Sequence, residues 1–299
     1  MEKEFAPIVL FVYNRVEDTK ATIECLKENE NAQNSDLYIF SDNAKNENQA
    51  EKVNQVRAYI HTVTGFKSIT IIEAEKNKGL ANSVISGVTE VINKYGKVIV
   101  LEDDIITSKH FLNYMNDALD FYEGIEKVWS ISGYHFPFEV PDAYAHKIYY
   151  FYRSSSWGWA TWKDRWNTID WIAKDYSKYR FNLCMVYNFC KGGTDLDKML
   201  RYQMKGKIDS WAIRWCFAQY LQKKLTVYPT SSLVNNIGTD GTGTHCDPSS
   251  ARFQKEIDDE YEHEFITDVF VDRDIAKRFK KTVDRSIIRK IKRVLSISS

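Results

Sequence analysis

The stretch KVIVLEDDII, Lys97 to Ile106, decides how the chain is read. After Lys97 come four apolar residues, three of them β-branched, a run too short for a helix and suited to a strand buried on both faces. The run then ends in Glu102, Asp103 and Asp104, followed by two isoleucines. Three carboxylates a few ångströms apart raise one another's pKa, so their crowding at the tip of a core strand calls for a cation. A hard divalent ion, Mn²⁺ or Mg²⁺, meets that need with one or two carboxylates, its remaining ligands being phosphate oxygens and water. Strand alternation places Glu102 and Asp104 on one side and Asp103 on the other. One side can then hold a metal while the other accepts a hydroxyl hydrogen bond. An isolated Glu-Asp-Asp is ordinarily a solvated strand end; the context of this one favours the metal.

That context is a series of apolar runs alternating with helical patterns. Strands are expected at 7–13, 37–41, 68–74 and 97–102. Helices are expected near 17–29, near 47–62, over 79–94 and from Ser108, as its cap, to about Tyr122. Near-continuous apolar strands separated by helices imply a mostly parallel sheet covered on both faces, an α/β fold. Ligands bind such sheets at the carboxyl ends of the strands. Asn14 and Arg15, Asp42 and Asn43, Glu73, and Glu102 to Asp104 all fall at those ends.

The second half changes character. Strands are expected at 128–134, 147–152 and within LTVYP, and the Trp-dense segment SSSWGWATWKDRW (154–166) reads as a turn and a short helix. Helices follow near 173–189, 194–204 and 210–223, and then the loop NNIGTDGTGTHCDP. Three units follow: residues 1–125 as a nucleotide-type platform, 126–250 as the acceptor-binding and catalytic half of the same domain, and 251–299 as an extension.

With 299 residues, 43% of them hydrophobic, the chain can bury a large core, and its 8 Trp and 18 Tyr are more than packing usually asks for. No run reaches transmembrane length, and MEKEFAPIVL lacks the order of a signal peptide. The five cysteines form no CxxC pair and read as reduced thiols of a cytoplasmic protein. The net charge of zero hides a basic end: residues 273–299 hold ten Lys/Arg against two Asp/Glu. That distribution suits a local electrostatic partner and argues against a general nucleic-acid binder. In VDRSIIRKIKRVL, Val283, Ile287, Ile288, Ile291, Val294 and Leu295 share one helical face, with Arg285, Arg289, Lys290, Lys292 and Arg293 on the other. Such a helix can lie on an anionic membrane or pack on the body with its basic face solvated.

Taken together, these segments resemble glycosyltransferases of the GT-A, Rossmann-like fold, with a C-terminal helical extension. The nearest likeness is to bacterial family 2-like sugar transferases and to the Golgi N-acetylglucosaminyltransferase that initiates complex N-glycans. The resemblance spans about residues 6–250. It implies that PIVLFVYNR, with Asn14 and Arg15, cradles the nucleotide, that Asp42 in FSDNAKNE contacts uracil of a UDP-sugar, and that EKNKGLANSVISGV, with Lys78, lies along the donor. It further implies Asp104 as metal ligand, with Glu102 and Asp103 touching the donor ribose or sugar. SSSWGWATW resembles an acceptor-side segment, where Trp157 or Trp159 could stack on a sugar ring. KIDSWAIRW resembles the segment carrying the catalytic carboxylate, here Asp209, and the Gly-rich loop resembles one that closes over pyrophosphate and supplies a His, here His245, to the metal. The implied partners are a nucleotide-sugar donor, a glycan acceptor that is lipid-linked in bacterial relatives, and the inner face of the cell membrane, in surface polysaccharide assembly.

Read as residues alone, Asp209 could be a general base for an inverting displacement or the N-cap of the helix that follows. His245 could equally be an exposed loop histidine. Two other activities fit less well. A sugar-nucleotide pyrophosphorylase needs a Gly-rich loop after the first strand, and VYNRVEDTK has no glycine. A non-catalytic carbohydrate-binding or scaffold protein would release no nucleotide from a donor.

Overall fold

The computed structural model describes residues 4–238 and 253–283. The chain opens with three strand–helix pairs: β1 (Ile8–Val12), α1 (Val16–Lys27), β2 (Asp36–Ser41), α2 (Glu47–Ile60), β3 (Ser68–Glu73) and α3 (Leu80–Tyr95). Next come β4 (Lys97–Glu102), β5 (Ile105–Thr107), α4 (Phe111–Tyr122), β6 (Val128–Ser132), β7 (Ile148–Phe151) and β8 (Trp159–Trp162). Short helices follow, α5 (Lys163–Trp166), α6 (Tyr176–Tyr179) and α7 (Leu183–Phe189), then α8 (Asp195–Met204), α9 (Trp211–Leu221), β9 (Leu225–Pro229) and β10 (Val234–Asn236).

Eight strands form one sheet in the order β3-β2-β1-β4-β8-β6-β9-β7, while β10 and β5 make a small antiparallel ribbon. The first four strands are all parallel, and β8 enters antiparallel between β4 and β6. β1 to β3 grow the sheet one way and β4 adds on the other side of β1. The carboxyl ends of β1 and β4 therefore flank the topological switch point, where open α/β sheets form their crevice.

Strand alternation sorts the core into two layers. Ile8, Leu10, Leu37, Ile39, Ile99 and Leu101 join α1, α2 and α4 on one face. Val9, Phe11, Tyr38, Phe40, Val98 and Val100 meet α3 and five tryptophans on the other. Covering both faces removes the reason for polar alternation, which is why these strands read as unbroken apolar runs. The edge strand β3 alternates instead and ends in Glu73, a polar edge that discourages further pairing.

The Rossmann-like α/β expectation is borne out, with three local corrections. The segment 154–166 holds a central strand, β8, because its tryptophans are β-formers packed inside the sheet rather than in a turn. Ser108 does not cap α4; His110 occupies that position, and the Ser108 hydroxyl accepts from the His110 N–H at 3.2 Å instead. The helix expected over 173–189 breaks into α6 and α7, with Asn182 capping the second through Met185 N–H at 3.1 Å.

One glycine shows how closely α3 lies on the sheet. A Cβ on Gly87 would stand 2.9 Å from Phe11 Cε1 and 3.1 Å from Phe40 Cε1, whose rings are stacked at 5.4 Å. Gly87→Val should therefore lower stability by about 1–3 kcal/mol through overpacking, read as a lower urea midpoint at unchanged slope.

Candidate functional site

The acidic tip of β4 is held by a cation from the chain itself. β4 ends at Glu102, so Asp103 and Asp104 lie in a turn before β5, and the expected alternation of the three carboxylates stops there. Both aspartates face Arg15, which follows β1 across the switch point. Arg15 Nη2 donates to Asp103 Oδ1 at 2.6 Å and to Asp104 Oδ2 at 2.8 Å, and Nη1 lies 3.3 Å from Asp18 Oδ2. The Tyr13 N–H reaches Asp103 Oδ2 at 3.3 Å, and the Thr22 hydroxyl donates to the Asp103 carbonyl at 3.0 Å. Burial disfavours the Arg15 charge, yet Asp103 and Asp104 outweigh it and hold the guanidinium more firmly protonated than usual.

One guanidinium faces three carboxylates. Burial, then the Asp104 and Asp103 charges, push Glu102 up to about 8, while Arg15 and a hydrogen bond from Trp211 pull the other way. Burial likewise lifts Asp103 to about 6, against the pull of Arg15. Asp104 Oδ1 is buried and makes no hydrogen bond. A side chain on Gly238 would collide with Arg15 Nη1 and Asp104 Oδ2, so only glycine lets this backbone close over the cluster.

These residues fit a divalent cation. The unpartnered Asp104 oxygen is a hard donor, and Glu102 beside it is a carboxylate that extra positive charge would ionise. Among the described residues no group of three or more His, Cys, Asp or Glu could by itself hold a metal ion. A Mg²⁺-type site needs none, since substrate phosphates and water complete its shell. His245 lies outside the described residues.

The other expected site residues divide. Asn14 sits in the turn between β1 and Arg15, half-buried at the crevice. Asp42 directly follows β2 in the same row, but its carboxylate is filled by the chain. Oδ1 accepts from the Asn43 and Lys78 N–H groups at 2.8 and 2.9 Å, and Oδ2 accepts from Gly79 N–H at 2.9 Å and the Asn77 amide at 3.2 Å. With four donors on two oxygens, no lone pair is left for a uracil N–H, so the expected base contact is replaced by a clamp on the turn that starts α3. Lys78 leaves its side chain exposed at the rim.

Trp159 is corrected outright. It is 1% exposed in β8, with ring centroids 4.3 Å from Trp215 and 5.2 Å from Trp211, so it is core and cannot stack on a sugar. Trp157 is half-buried and meets Tyr134 edge-on at 4.6 Å. Asp209 is not the cap of α9, because Ser210 takes that place, accepting from Ile213 N–H at 3.4 Å. Asp209 stays 61% exposed and pairs with Arg214 at 2.9 Å. It stands two residues before Trp211, within about 7 Å of chain from a side chain that touches Glu102.

Arg15, expected from the resemblance to lie along a donor, sits against Asp103 and Asp104. The available signal was a lone arginine after β1 facing an acidic pair after β4. Trp211 carried no such signal, since its reach to Glu102 depends on where α9 lands. A second cleft, of about 780 Å³, was also unforeseen; it is lined by His135, Glu139, Ser232, Lys255 and Arg278. Burial pushes His135 down to about 4, although its hydrogen bond with the Phe138 carbonyl opposes this.

Two measurements check these electrostatics. Arg15→Met leaves two buried carboxylates without their partner and should cost about 3–5 kcal/mol, read by chemical denaturation at neutral pH. His135 stays neutral in the fold, so below its usual 6.5 the unfolded chain binds the extra proton and stability drops until about pH 4. The stability of the parent relative to His135→Gln should fall by about 3 kcal/mol across that window.

No protein-family model matches the chain, and no curated protein matches it. Among solved structures it is similar to mannosyltransferase PcManGT from Pyrobaculum calidifontis in complex with GDP-Man and Mn²⁺, at 12% identity and TM-score 0.34, over 55% of this chain and 48% of that one. It is also similar to TarS of S. aureus, at 11% identity and TM-score 0.42, over 76% of this chain and 36% of that one. The chain spans less than half the length of either.

Proposed function

We propose that the protein is a metal-dependent glycosyltransferase that moves a sugar from a nucleoside-diphosphate donor to a hydroxyl of a glycan acceptor. The observation that carries the reading is the acidic tip of β4 at the switch point, where Asp103 and Asp104 share one guanidinium beside Glu102 and Asp104 Oδ1 is buried without a partner. Residues 1–125 form the donor half, 126–250 the acceptor half and 251–299 the extension. Asp104 would hold Mn²⁺ or Mg²⁺, with His245 as the second protein ligand. Bound there, the ion would supply Lewis-acid stabilisation of charge on the departing diphosphate.

The chain's own residues do the rest. Arg15 fixes the Asp103 and Asp104 carboxylates in place, and the Tyr13 N–H orients Asp103 toward the crevice. Asp103 and Glu102 would then meet donor hydroxyls, with the backbone at Gly238 lying close over Arg15 and Asp104. Asp209, solvated and paired with Arg214, would accept the proton of the attacking hydroxyl, which favours inversion at the anomeric carbon. Trp157 offers the ring edge nearest an incoming glycan. Asp42 gives no contact that selects uracil, so the base is assigned only as that of a nucleoside diphosphate. We place the acceptor on a lipid carrier in bacterial surface polysaccharide assembly, with the basic segment 284–299, outside the described residues, resting on the inner face of the membrane. Among the described residues no helix is long and apolar enough to cross a membrane.

Nucleotide release from a panel of nucleotide sugars should require Mn²⁺ or Mg²⁺ and vanish in EDTA. Asp104→Asn should lower turnover by about two orders of magnitude or more, with loss of metal-dependent donor binding in calorimetry. Asp209→Ala should abolish transfer while donor affinity changes less than about threefold. No nucleotide release from any donor would leave a sugar-binding protein instead, and equal loss of donor affinity in Asp209→Ala would remove the base assignment.

A further inference from the structure

Exposed apolar surface on the described chain is concentrated in one place. Six of the nine large hydrophobic residues left exposed lie between 172 and 204, and Leu183, Phe181 and Tyr187 are 85%, 77% and 67% exposed. Asn182 fixes the turn between Phe181 and Leu183 by capping α7, and Tyr187 follows Leu183 by one helical turn on the same face. α7 is anchored from its other side: Phe189 is buried against Tyr179 and Phe217 at 5.6 and 5.7 Å. The exposed side chains are thus presented by a packed helix.

Cations sit on the exposed rings. The Arg180 guanidinium lies 4.2 Å from the Phe181 ring centre, and Lys191 Nζ lies 5.7 Å from that of Tyr187. Residues 176–194 contain Lys178, Arg180 and Lys191 and no Asp or Glu. Apolar side chains flanked by cations on long stems match the interface of an anionic bilayer, where rings and leucines enter the acyl boundary and the charges stay level with the phosphates. A second copy of the chain is a poor match, since a two-fold contact would set Arg180 and Lys191 against their own equivalents.

We propose that the surface formed by Arg180, Phe181, Leu183, Tyr187 and Lys191 docks on an anionic lipid membrane. This stands apart from the sugar-transfer reading and from the basic end of the chain. The last described residue of the helix before it, Val283, packs by Gly193, its Cγ2 3.3 Å from where a Cβ there would be. Residues 284–299 carry five Lys/Arg against one Asp. Like charge opposes laying them over the patch and lets both face the same lipid surface.

The test is flotation of the full chain with phosphatidylcholine vesicles, with and without phosphatidylserine, beside two full-length variants. One is Phe181→Ser with Leu183→Ser and Tyr187→Ser. The other changes Arg285, Arg289, Lys290, Lys292 and Arg293 to Gln. The parent should float with phosphatidylserine vesicles, and the triple serine variant should partition about tenfold less at an unchanged melting temperature. The same loss should persist when the two sets of changes are combined. Absence of flotation by the parent, or equal flotation of the triple variant, overturns the proposal. So does a lipid-free dimer that the triple variant dissolves, which would assign the patch to a second copy. Loss of all flotation in the glutamine variant, with the triple serine variant unaffected, would assign the membrane contact to the end of the chain and would also overturn it.

Discussion

The contact of Arg15 with Asp103 and Asp104 joins the two strand ends that flank the switch point, and much of the local order depends on it. The Tyr13 N–H and the Thr22 hydroxyl, both bonded to Asp103, reinforce it. Buried ion pairs of this kind seldom add net stability over an apolar replacement, because desolvating three charges costs about what their attraction returns. They do impose a particular geometry, since any other arrangement leaves a charge buried alone. Here the imposed geometry holds Asp103 and Asp104 on one guanidinium and leaves one buried oxygen of Asp104 without a partner.

The second face of the sheet supports the same site from below. Trp159, Trp166, Trp211 and Trp215 stack through β8, α5 and α9, which sets the height at which α9 begins. Trp211 then reaches Glu102, and Asp209 and Ser210 are placed just outside it. Indoles do this well because each has a large rigid face for packing and one N–H that must find an acceptor when buried. Asp42 plays an equivalent part after β2. Its carboxylate collects three backbone N–H groups and the Asn77 amide, tying the start of α3 to the end of β2.

The sheet was legible because its strands are short apolar runs whose helical partners carry their own periodicity, from Ile8 through Glu102. The location of the site was legible for the same reason, as strand ends are known once strands are. What those side chains do there was less so. Trp159 and Trp157 are one residue apart and look alike in sequence, yet β8 turns the first into the core and leaves the second at the rim. Asp42 looked available for a base until the turn at 77–79 was seen to close on it. Asp209 and Ser210 both suit a helix start, and only the backbone geometry assigned the cap to Ser210. For Trp159 and Asp42 the deciding partners lie far away along the chain, where local pattern carries no information, whereas the cap at Ser210 is decided by its own backbone turn.

The charge count at the crevice constrains any anionic ligand. Glu102, Asp103 and Asp104 exceed the single cation Arg15, and that cation already donates to two of them. A diphosphate brought to this tip alone would meet net negative charge in a poorly solvated setting, where repulsion is only weakly screened. On the proposed reading its phosphates must therefore be accompanied by positive charge that Arg15 cannot lend without exposing Asp103 and Asp104. The same cation would draw Glu102 into its ionised form. On that reading the acidic tip would admit a nucleotide as its metal complex and disfavour the bare nucleotide, a form of selectivity that needs no contact with the base.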